Sequence, residues 1–70
     1  MYKADVLKKL ELIPDDEPLF LLRGRDPLAA AVVGGWCDDA ESACVDPAKV
    51  ADARKIASVM ADYPGQKLPD

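Results

Sequence analysis

Two rhythms of apolar residues run along this chain. Between about Ala4 and Ile13, Val6, Leu7, Leu10 and Ile13 repeat at helical spacing while Lys8, Lys9 and Glu11 take the other side, which predicts an amphipathic first helix. Pro14 ends it, and Asp15-Asp16-Glu17-Pro18 reads as a turn, because proline cannot continue a helix and aspartate bonds to its own backbone. Leu19-Phe20-Leu21-Leu22-Arg23 follows a different rule. Enclosed by Pro18 and Gly24, it is too short for a helix and apolar on both faces, which predicts a short extended segment or strand.

Two more helices are announced by the same device, an aspartate cap followed by proline at the first helical position. Asp26-Pro27 opens the second, along which Ala29, Val32, Val33, Trp36 and Ala40 form one stripe. Trp36 at that spacing is expected in the core. Gly34-Gly35 lowers helix propensity within the stripe, marking either a kink or the close approach of another backbone. Asp38, Asp39 and Glu41 sit badly against the negative end of the helix dipole, so fraying is expected there. Asp46-Pro47 opens the third helix, which runs to about Tyr63 before Pro64-Gly65 stops it. Val50, Ala53, Ala57 and Met60 make a narrow seam of mostly small residues, suited to close packing on the second helix through Ala53 and Ala57. Ile56 and Val59 lie on an adjoining stripe that faces something else. Residues 64–70 read as a tail.

The fold class expected is therefore mainly α: one small domain over residues 1–70, three helices, and one short extended segment or strand between the first two. That strand has no mate in its own chain, and buried backbone N–H and C=O groups must be satisfied somewhere. Pairing Leu19, Phe20, Leu21 and Leu22 with the same segment of a second copy across a two-fold axis solves the problem, so a homodimer is expected with those four residues at its interface. The plainer alternative is an irregular link with its edges bonded to water.

Size sharpens the expectation of self-association. A domain of 70 residues buries only about 60% of its unfolded surface, and small folds usually lean on disulfides, metals or a second copy. Cys37 and Cys44 are the only cysteines and there is no histidine, so no four-ligand zinc site is expected, and no metal or other cofactor. On one unbroken helix the two thiols would stand about 10 Å apart, too far to bridge, and both are expected reduced and semi-buried. Nine Lys and Arg against thirteen Asp and Glu leave a net charge of −4, and half the residues are hydrophobic. Such a chain collapses, but it lacks the cationic footprint of a general duplex binder, so nucleic acid is not an expected partner. No apolar run approaches the roughly 20 residues that span a bilayer, and no signal-peptide core follows Met1. A soluble, cytoplasmic protein without a membrane role is expected.

Catalytic chemistry finds no purchase in the pattern. Ser42 and Ser58 have no histidine to activate them, no phosphate-cradling glycine motif occurs, and the carboxylates of Asp15-Asp16-Glu17 and of Asp38, Asp39 and Glu41 read as solvated charges. No catalytic residue is assigned and no enzyme is expected. One constellation stands out: Arg23-Gly24-Arg25 precedes a helix N-terminus, where guanidinium forks and backbone donors favour anions such as a nucleotide. The plainer reading pairs Arg23 or Arg25 with Asp15, Asp16 or Glu17 as a surface ion pair of little weight.

Asp16 to Arg23, then Asp26, Leu28-Ala29, Val32-Val33 and Trp36, then Lys49-Val50, Ala53-Arg54, Ala57 and Met60, resemble a group of small uncharacterised bacterial and bacteriophage proteins. The resemblance covers about residues 14–69, and its most specific part is Glu-Pro-x-Phe-x-Leu-Arg-x-x-Asp from Glu17 to Asp26. Gly34 departs from that pattern, where a charged residue is expected. No activity comes with the resemblance; it implies a phage or mobile-element setting, in which chains of this size often bind a host factor. The leading expectation is a small interaction protein that binds a host protein through an acidic surface at Asp38, Asp39 and Glu41, in an accessory or anti-defence role. The alternative is a ligand-binding or sequestering protein that holds an anionic small molecule at Arg23 and Arg25.

Overall fold

The computed structural model describes residues 1–69; Asp70, the end of the expected tail, lies outside them. Three helices form in the order α1 (Lys3–Leu10), α2 (Ala29–Ser42) and α3 (Pro47–Ala61). The mainly α expectation holds. No strand occurs among the described residues, and the run from Pro18 to Arg23 is irregular chain, because a strand exists only against a ladder partner and this chain supplies none.

Only α2 and α3 pack on each other; α1 meets neither. Their seam is built from small side chains. Cys37, Ala40 and Val50 are buried, with Val33, Val45 and Ala53 packed around them, and Ala29 is buried at the start of α2. Side chains this short let the two helix axes come close, the role expected of Ala53. The orientation of α2 about its own axis differs from expectation. Cys37 is fully buried, whereas Trp36 is 47% exposed and Val32 is exposed beside it. The apolar arc of α2 is wider than one neighbouring helix can cover, and the narrower residues of that arc won the contact with α3. The thiols diverge as well: Cys37 lies within the seam and Cys44 on the surface, both free.

Caps explain the boundaries. Asp46 accepts from the Ala48 N–H at 3.0 Å with Pro47 at the first helical position, as the sequence predicts for α3. Asp26 does the same for the Leu28 N–H at 2.8 Å, but there the chain first closes a turn, with Ala29 N–H on the Asp26 carbonyl, and α2 opens two residues later than expected. The first helix stops at Leu10 rather than Ile13, since Leu12 and Ile13 bond back to Lys9 and Leu10 in tighter three-residue turns ahead of Pro14. Gly34-Gly35 produces no kink: α2 is unbroken through both, and a Cβ built on either would meet nothing within 4 Å.

α2 ends in a Schellman motif. The Val45 N–H bonds to the Ala40 carbonyl at 3.0 Å and the Cys44 N–H to the Glu41 carbonyl at 3.1 Å, with Val45 folded onto the core. The left-handed position falls on Cys44, at φ 63°. A residue with a Cβ is strained there, where glycine is usual.

Candidate functional site

Turn geometry builds a cleft with charged lining. The Asp26 N–H donates to the Arg23 carbonyl at 3.0 Å, so residues 23–26 form a tight turn with Gly24 at its tip. Gly24 lies against the end of α3, where a Cβ would stand 3.7 Å from Met60 Cγ. The chain after α3 then returns over this turn. Gln66 Nε2 donates to the Met60 carbonyl at 2.8 Å, and the Lys67 N–H donates to the Arg25 carbonyl at 2.8 Å. Leu21, Arg23, Arg25, Asp26, Lys67 and Pro69 line the resulting cleft, of about 190 Å³.

Arg23 and Arg25 are thus brought together as the sequence suggests, and Lys67 joins them. The surface ion pairs expected with Asp15, Asp16 or Glu17 do not form: among the described residues neither arginine is paired with a carboxylate. Among the described residues, the one carboxylate lining the cleft is that of Asp26, which is nearly buried and has one oxygen committed to the Leu28 N–H. Nothing in the local sequence marks Lys67, since its place depends on the tail folding back over a turn more than 40 residues earlier.

The acidic end of α2 has a different fate. Arg54 of α3 reaches across the helix pair, donating from Nη1 to Asp38 at 3.1 Å and from Nη2 to Glu41 at 2.8 Å. These bonds, to Asp38 foremost, hold the Arg54 guanidinium pKa above its ordinary value. Asp39 remains outside the fork and unpaired among the described residues. α2 continues to Ser42, past the point where fraying is expected, and a cation from the neighbouring helix offsets the charge that the dipole disfavours. Arg54 carried no sign of this in its own neighbourhood. The signal that reaches it is the hairpin: a cap at Asp46 turns α3 back beside α2, so a basic residue two turns in meets the acidic end.

The third predicted feature is fully open. Leu19, Phe20 and Leu21 are 61%, 87% and 77% exposed, and Leu22 is half-buried. No hydrogen bond within the chain involves the backbone of residues 19–22. Among the described residues, no group of three or more carboxylate, thiol or imidazole side chains gathers into a metal site. No helix is long and apolar enough to cross a membrane. Comparison with known proteins returns no matching family model, no matching curated protein and no matching solved structure.

Proposed function

We propose that this chain is a small non-catalytic interaction protein that works as a homodimer and binds a second protein through its acidic face. The observation that carries the reading is uncovered surface, with Leu19, Phe20 and Leu21 among its exposed apolar residues. The chain exposes 5760 Å², about 1,500 Å² more than the roughly 4,200 Å² of a typical folded monomer of 7.5 kDa. Its radius of gyration, 12.9 Å, likewise exceeds the roughly 11 Å of a compact domain this long. An obligate two-fold interface takes on the order of 1,000–2,500 Å² from each partner, which is the scale of the surplus.

Leu19, Phe20 and Leu21 are the natural centre of that interface. They are apolar, consecutive and exposed, and their backbone groups lack mates within the chain. Antiparallel pairing of residues 19–22 with the same segment of a twin molecule satisfies those groups and hides both faces of the run. Leu28, Val32 and Trp36, spaced one turn apart along exposed positions, lie ready to cover such a ribbon, and the open space over Gly35 beside them leaves room for it.

The second protein is a basic one. Asp38, Asp39 and Glu41 outnumber Arg54, so this end of the hairpin stays negative after the fork has formed, and it steers toward cationic surfaces. With the resemblance of residues 14–69 to small phage and bacterial chains, this reading places the protein in the cytoplasm in an accessory or anti-defence role against a host factor. Light scattering across a concentration series tests the core of it: a solution mass of twice 7.5 kDa is expected, and a well-folded particle of single mass at high concentration overturns it. Capture of a basic partner from bacterial lysate, lost on Asp39→Lys, tests the remainder.

A further inference from the structure

We propose that Arg23 and Arg25, in the cleft closed by the returning tail, bind the phosphate group of a small phosphorylated molecule. This goes beyond the dimeric interaction reading and does not depend on it, because every residue involved comes from one copy.

Charge is the first argument. In a chain of net charge −4, this cleft is lined by Arg23 and Arg25 and, among the described residues, by the single carboxylate of Asp26. One Asp26 oxygen is already bonded to the Leu28 N–H, and both arginines are without an ion-pair partner among the described residues. Two guanidiniums present planar forks that match phosphate oxygens two at a time.

Pre-organisation is the second. The arginine turn is closed by the Asp26 N–H to Arg23 carbonyl bond and rests on Met60 through Gly24. The opposite wall is fastened by the Lys67 N–H on the Arg25 carbonyl and by Gln66 on the Met60 carbonyl, both at 2.8 Å. Fastened walls lower the ordering cost of binding. Size is the third argument. At about 190 Å³ the space is well below the roughly 300–1,000 Å³ that encloses a drug-sized ligand, so it admits a phosphate or pyrophosphate group and leaves any attached nucleoside outside.

The test is calorimetric titration of the full chain at low salt with pyrophosphate, adenosine triphosphate and adenosine, with backbone amide shifts followed in parallel. Pyrophosphate and the triphosphate are expected to bind and to move the amides of residues 23–26 and 66–68, while adenosine does neither. Equal affinity for the two identifies a free oligophosphate as the ligand, and tighter binding of the triphosphate identifies a nucleotide. Arg23→Gln and Arg25→Gln should each weaken binding about tenfold or more, in line with the loss of a charged hydrogen-bond donor. Both leave the backbone bonds of the turn in place, so the fold survives, which circular dichroism verifies. Lys9→Gln on α1 removes the same charge at a residue that does not line the cleft and should leave affinity unchanged. Absence of pyrophosphate binding in the millimolar range, or an equal loss from Lys9→Gln, overturns the proposal.

Discussion

Residues 26–61 and residues 1–23 carry apolar side chains at comparable density, yet only the later stretch buries them. In the α2–α3 hairpin, an aspartate cap on α3, an aspartate turn ahead of α2, a Schellman turn and the Arg54 fork hold two helices together over a seam of small residues. In the N-terminal third, α1 has a well-formed apolar side of Val6, Leu7 and Leu10 but no helix to set it against, and Leu19, Phe20 and Leu21 face outward. Amphipathicity makes a surface ready to be buried. Whether it is buried depends on whether the chain can bring a second surface to it, and a four-residue connection does so for α2 and α3 where an 18-residue link does not do so for α1.

Substitutions break or sharpen this contrast. The largest effect is expected from Val50→Asp, which places an unpaired carboxylate in the seam and should abolish the cooperative loss of helicity on heating. The matching change in the first region, Leu12→Asp at a residue 85% exposed, should shift stability by less than about 0.5 kcal/mol; an equal collapse would show that the N-terminal third is packed after all. Phe20→Asp separates the two regions in another way. It should halve the solution mass while the helicity of the hairpin persists, as read by light scattering and circular dichroism on one sample.

Smaller effects test how the hairpin is fastened. Asp46→Ala removes the cap of α3 and is expected to cost about 1 kcal/mol in urea denaturation. Cys44→Gly acts in the opposite direction. It relieves the left-handed backbone at φ 63° and should raise stability by about 0.5–1 kcal/mol, a gain that disappears if Cys44 is held there by a contact of its own. Last, Arg54→Met should leave the midpoint nearly unchanged but speed amide exchange over the final turn of α2, and added salt should have the same effect on the parent protein.

The hairpin's plan is legible along the chain. Asp-Pro marks the beginning of α3 and anticipates that of α2 to within two residues, and Val50 and Ala53 on the predicted seam of α3 name its contact with α2. Less legible is which part of a broad apolar arc turns inward. Trp36 fits the α2 stripe by spacing as well as Cys37 does, and only the close approach of α3 favours the smaller side chain. For the candidate site, Arg23 and Arg25 are adjacent in sequence and stay adjacent in space, so their pairing is visible from local order. Lys67 arrives through the backbone bond to Arg25, and Arg54 through the helix crossing, neither of which leaves a mark on neighbouring residues.

Periodicity, capping residues and proline positions, all local in origin, determined that this protein is helical, where α3 starts, and that Leu19 to Leu22 would be apolar with nothing in its own chain to pair with. Tertiary structure decided the rest: the rotation of α2 that buries Cys37, the neutralisation of its acidic end, and the meeting of the tail with the arginine turn. These depend on distances between residues far apart in sequence, which side-chain spacing along one element does not encode.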